Sequence, residues 1–179
     1  MSKYILAVDP GTVNTGWAKV EVQEENINRI VGVGVTTPPK DIPPKRVSEI
    51  IRQLIEVLNA RPMATEIWTE FFVPYAARKG AMWNTTLVGA LLYLPITRHR
   101  MDLTSFGMFP ATWKAWMKKE AGAHCSDPIC ALLEKYGVEP TDEQWQTMGE
   151  SPHIRDAIGI AFYAVYGATD VNEISHSTD

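Results

Sequence analysis

The stretch AVDPGTVNTGWAKV, residues 7–20, decides how the fold is read. It follows Tyr4-Ile5-Leu6, so an apolar run ends in an aspartate, turns through Pro10-Gly11 and restarts after Thr15-Gly16. Tyr4 to Val8 reads as a short buried strand. A carboxylate at its end is costly to bury unless something pairs with it. Pro-Gly is a turn signal, and Gly16-Trp17-Ala18-Lys19-Val20 alternates as a second strand does. The result is a hairpin with Asp9 at its mouth. An aspartate there can also simply cap the turn, so the rest of the chain must say which role it has.

Working outward, Arg29 to Thr36 reads as a third strand, and Pro38-Pro39 and Pro43-Pro44 bracket a short linker. A helix is expected from Lys45 to Ala60, where Val47, Ile50, Ile51, Leu54, Ile55 and Leu58 form one apolar face. Pro62 stops it. Ala64 to Phe72 alternates as a fourth strand with Glu70 near its end. Tyr75 to Leu94 is helix-like, and Met101 to Phe106 reads as a fifth strand. Pro110 to Ala121 is a helix with proline in its first turn, and Ser126-Asp127-Pro128 opens another that ends near Tyr136-Gly137. Ser151 and Pro152 are a good cap and first residue for the last helix. That helix is apolar on most sides to Tyr166, as a buried helix is, yet His153 and Asp156 lie on one face. A polar tail begins at Thr169, so residues 1–168 read as one domain and 169–179 as a tail. The layout is α/β, with an antiparallel start and parallel additions.

Composition narrows the classes. The chain has 179 residues, 45% hydrophobic and 21% charged, which suits one domain with a sizeable core. No run of about 18 apolar residues signals a membrane span. Met1-Ser2-Lys3-Tyr4-Ile5 lacks a secretory leader's apolar region, and two cysteines suit a reducing cytoplasm. A cytoplasmic location, in a bacterium or a phage-infected cell, is the expectation. His124, Cys125 and Cys130 make no complete zinc motif. The net charge is −4, so nucleic-acid binding would need local positive clusters. Arg78-Lys79, Arg98-His99-Arg100 and Lys114 with Lys118-Lys119 are candidates, each also readable as solvated surface.

Asp9, Glu70, His153 and Asp156 all fall at ends of elements, which can converge on one edge of a sheet. Carboxylates at close range cannot all stay ionised without a cation. Oxygen ligands with one imidazole suit Mg²⁺ or Mn²⁺. Two such ions clamp the attacking and leaving oxygens in phosphodiester hydrolysis.

The residues in order resemble the RuvC family of Holliday junction resolvases, within the ribonuclease H-like superfamily. The matching residues are Ile5-Leu6-Ala7-Val8-Asp9-Pro10-Gly11 with Thr15-Gly16, then Glu70, then His153-x-x-Asp156-Ala157. Gly89-Ala90-Leu91 and Pro110-x-x-Trp113-Lys114 match more weakly. The resemblance implies a five-stranded mixed sheet flanked by helices, working as a homodimer on four-way junction DNA. Two sites would cut opposing strands and leave ligatable 5′-phosphate nicks. It implies two Mg²⁺ ions per site, replaceable by Mn²⁺. Asp9 would touch both ions, Glu70 and Asp156 would complete their coordination, and His153 would ligate a metal or handle the water's proton. By the same resemblance, Phe71, Phe72 and Tyr75 would stack on bases, one of the two phenylalanines facing inward. Arg78, Lys79, Lys114, Lys118 and Lys119 would meet DNA, and Thr15-Gly16 would bring the chain near phosphates. The long helix from Tyr75 would form the dimer interface.

The chain departs from the family in two places. The Gly-x-Gly segment after the basic helix is reduced to Ala121-Gly122-Ala123, and Glu139 to Glu150 has no counterpart. The same residues leave other readings open: a nuclease for RNA–DNA hybrids or flaps, a non-catalytic nucleic-acid-binding module, or an actin-like ATP-binding domain, which also opens with Asp-x-Gly-Thr.

Overall fold

Strand β1 (Lys3–Asp9) lies at the centre of a five-stranded sheet ordered β3-β2-β1-β4-β5 in this computed structural model, which describes residues 2–71, 81–97 and 102–168. The hairpin exists: β2 (Thr15–Gln23) returns antiparallel to β1, with Asp9 opposite Gly16, and β3 (Asn26–Thr36) extends the meander. β4 (Glu66–Glu70) and β5 (Thr104–Met108) then add in parallel.

A central strand is covered on both faces, which is why β1 is an unbroken apolar run. Side chains alternate between those faces. Leu6 and Val8 pack with Val47, Ile50 and Leu54 of α1 (Pro43–Asn59) and with Leu87 and Leu91 of α2 (Ala81–Thr97). Ile5 and Ala7 face the other way, into a core built on α6 (Pro152–Phe162) and a wide helical turn at Tyr163–Gly167. That core also takes residues from α3 (Pro110–Ala121), α4 (Pro128–Lys135) and α5 (Asp142–Glu150). By the same alternation Asp9 points to the α6 side.

Several expectations shift. β4 is shorter than Ala64–Phe72, and β5 lies at Thr104–Met108 rather than Met101–Phe106. Its register is set by parallel pairing, Glu66 with Thr104 through Glu70 with Met108, which no local pattern encodes. The second long helix extends to Thr97, past Leu94, and Pro95 sits inside it. α5 occupies the segment without a family counterpart. Its start carries a complete capping box, in which Thr141 accepts from the Gln144 backbone and Gln144 accepts from the Thr141 backbone. The Thr-x-x-Gln signal was present in the sequence. Both cysteines are free thiols. Among the described residues no helix is long and apolar enough to cross a membrane.

Candidate active site

Asp9 and Glu70 end adjacent parallel strands. The β1–β4 register runs from Ile5 opposite Glu66 to Val8 opposite Thr69, so the two acids are its next step. On β4, Ile67 belongs to the α1/α2 core while Trp68 packs on the α6 side. Glu70 therefore faces α6, as Asp9 does. The carboxyl ends of parallel strands are where open α/β sheets place their ligands.

The start of α6 closes the site from above. Ser151 caps the helix through the His153 backbone N–H. Gly16 is what lets this end come down on the hairpin: a Cβ there would lie 2.1 Å from the His153 carbonyl oxygen. Thr15-Gly16 thus receives the start of α6. Thr15 is fully buried, and its hydroxyl donates to the Gly11 carbonyl at 2.6 Å and so fixes the turn.

Each acid has one defined partner. His153 Nδ1 lies 2.6 Å from Asp9 Oδ2. With the proton on Nδ1 the ring donates to Asp9 and leaves the Nε2 lone pair available. Lys114 Nζ donates to Asp156 Oδ2 at 3.1 Å. The Trp113 indole N–H donates to Glu70 Oε2 at 2.7 Å. Burial pushes the Asp9 carboxyl above the usual range, and the Asp156 charge adds to this against the pull of His153. Burial raises Glu70 as well, with Asp9 and Asp156 repelling its charge. Lys114 acts on all three acids. Burial opposes its charge, but the carboxylates outweigh this and raise it. A partly buried cluster of like charges of this kind marks a functional site.

The donor set fits a divalent cation by its chemistry: three carboxylates and one imidazole, Asp9 buried and the others partly so, converging where repulsion calls for positive charge. As the side chains stand, no three of them are grouped to hold one ion among the described residues. Each is turned to its own partner instead.

The other candidates separate. Lys114 reaches into the acid cluster, while Lys118 and Lys119 stand exposed at the C-terminal turn of α3. Phe71 packs over β5: a Cβ on Gly107 would lie 2.3 Å from its ring, and its centroid is 5.2 Å from that of Phe109. The exposed aromatic beside it is Phe109, 56% accessible, which the sequence reading passed over. Phe72, Tyr75, Arg78 and Lys79 lie outside the described residues, as do Arg98-His99-Arg100. Trp113 carries no site signal in the sequence beyond the weak Pro110-x-x-Trp113-Lys114 match, and its bond to Glu70 gives it a place in the site.

Comparison with known proteins bears on the fold. A curated protein of Ehrlichia ruminantium (strain Gardel), crossover junction endodeoxyribonuclease RuvC, is 27% identical over 135 residues, which is 73% of this chain and 80% of that one. The protein of the same name from Ehrlichia canis (strain Jake) is 26% identical over 103 residues, 57% of this chain. The chain is a relative of RuvC. The match to the E. canis RuvC spans 62% of that protein's length, under two thirds. The solved structure of Thermus thermophilus RuvC in complex with Holliday junction substrate superposes with a TM-score of 0.64 at 20% identity, covering 90% of this chain and 94% of that one. The RuvC-like, ribonuclease H-like fold therefore holds across nearly the whole chain. No family model matches it.

Proposed function

We propose that this chain is an endonuclease that resolves four-way DNA junctions by metal-dependent hydrolysis of phosphodiesters. The observation that carries the reading is the convergence of Asp9, Glu70, His153 and Asp156 at the carboxyl edge of a RuvC-like sheet. Asp9, Glu70 and Asp156 would hold Mg²⁺, or Mn²⁺ in its place, with His153 as a further ligand. The bound ions would supply Lewis-acid stabilisation of the attacking and leaving oxygens.

The chain's own groups account for the rest. Nε2 of His153, oriented by Asp9, holds one lone pair, so it would take a proton from the attacking water only where it does not itself ligate the metal. Lys114, half-exposed and directed to Asp156, can turn its ammonium to a backbone phosphate. Lys118, one turn beyond it, extends that positive edge in a chain of net charge −4.

A junction has two-fold symmetry, and a homodimer would present two sites to it. α2 supports this part of the reading. Its inner face is buried through Leu87, Val88, Leu91 and Leu94, while Met82 and Ile96 on its outer side are 64% and 69% exposed. Gly89, between them, leaves open space beside the helix. A second copy of the chain would cover this apolar side.

The test is cleavage of labelled four-way junction, linear duplex, flap and RNA–DNA hybrid, with Mg²⁺ and with chelator. Paired symmetrical nicks on the junction alone are expected. Cutting of the flap or hybrid instead would keep the metal site and change the substrate. No cutting with Mg²⁺ or Mn²⁺ would refute the nuclease reading.

A further inference from the structure

We infer that Trp113 is a positioning residue for Glu70, held in place by a slot that α6 opens at Gly159. The inference rests on the metal-dependent reading of the site. Trp113 is fully buried, and a buried indole N–H needs an acceptor. Here the acceptor is a carboxylate rather than a backbone carbonyl, at 2.7 Å. That is the short distance of a charge-assisted bond.

Glutamate has three rotatable bonds, and a strand end does not choose among their settings. The bond to Trp113 chooses one. It engages Oε2. The indole in turn has little freedom, because it fills a gap in α6. A Cβ added at Gly159 would lie 2.7 Å from the Trp113 ring and 3.2 Å from the Met117 sulfur. His153, Asp156 and Gly159 follow one another at steps of three, so they share one stripe of α6. The helix that presents two site residues therefore also seats the ring that holds a third. Misplacement of a ligand by a lost outer partner typically costs about 10- to 100-fold in affinity or activity.

The alternative is that Trp113 is only a large core side chain whose N–H happens to find an acid. Trp113→Phe separates the two, since it keeps an aromatic ring and removes the donor. The variant is expected to fold, to bind Mn²⁺ about tenfold more weakly by calorimetry, and to lose about tenfold in kcat on four-way junction with KM unchanged. In a Glu70→Gln background the same change should have no further effect on Mn²⁺ binding. A folded Trp113→Phe with wild-type Mn²⁺ affinity and kcat would overturn the inference. Should that variant fail to fold, the indole proton resonance of Trp113 decides the matter. It should move upfield in Glu70→Gln, and an unmoved resonance overturns the inference equally. Metal titration and the indole resonance need no DNA. Wild-type protein that cuts no junction would thus refute the nuclease reading without touching this test.

Discussion

The two faces of the sheet bury charge in opposite ways. On the α1/α2 side, Lys19 of β2 is only 3% exposed, yet its ammonium donates to the Val57 carbonyl at 3.0 Å and the Ala60 carbonyl at 2.7 Å. These are the carbonyls at the C-terminal end of α1, where the helix dipole is negative. On the α6 side, Asp9, Glu70 and Asp156 crowd together with Lys114 as their shared cation, and burial pushes the first two upward in pKa. Lys19 is a charge solved once, by fixed backbone groups, and it serves the fold. The acids are held each through one oxygen and repel one another. That costs stability and leaves them free to take up positive charge.

The largest effect that would test this contrast is Asp9→Asn. Cleavage should fall at least about 10³-fold. In chelator at pH 7, however, the variant should melt higher than wild type. The sign follows from a folded pKa raised above the unfolded one: the ionised carboxyl destabilises the fold above that folded pKa and is neutral in both states below pH 3. Thermal melts from pH 3 to pH 8 check it, and the gain should vanish at the acid end. A variant less stable than wild type at pH 7 would break the contrast.

Next is Gly16→Ala. Its Cβ would meet the His153 backbone at 2.1 Å, so the start of α6 must move. A displacement of about 1 Å at a catalytic group costs about 100-fold in rate. The loss should appear in kcat under saturating Mn²⁺, while circular dichroism stays that of a folded protein.

Lys19→Met should do the reverse. It leaves two helix-end carbonyls without their donor and should cost about 1–3 kcal/mol in urea unfolding. Cleavage per folded molecule should be unchanged. A loss of activity without a loss of stability would mean that the two faces are coupled.

The smallest effect concerns Glu21, on the same strand and face as Lys19. Its bond to Arg29, at 2.6 Å, holds its carboxyl down to about 2 from an ordinary 4.5. A depressed folded pKa gives stability that is present above pH 4.5 and lost as pH falls toward 2. Glu21→Gln should therefore melt lower than wild type at pH 6, with the gap closing as pH falls through about 2. Comparing the two melting curves across this range is the check.

How much of this was legible depends on the range of the interaction. The hairpin at Asp9, the capped start of α6 and the proline-led α3 are written in neighbouring residues, and all three stand where local chemistry puts them. β5 was displaced because parallel pairing with β4 sets its position. α5 was overlooked although Thr141 and Gln144 signal its start. In the site, Asp9, Glu70, His153 and Asp156 could be listed from their places at element ends. Trp113 could not be ranked above any other core tryptophan, because its partner lies 43 residues away. Gly16 reads in the sequence as the start of the second strand, and its contact with His153 joins segments far apart in the chain.

By itself the sequence determined which residues can carry charge at the ends of strands and at a helix start, because hydrophobic alternation and capping act over a few residues. Only the tertiary structure decided which carboxylate meets which donor. Those contacts form when α6 settles on the sheet and α3 settles on α6. The clearance at Gly16 and Gly159 that permits it is a property of two surfaces together and of neither segment alone.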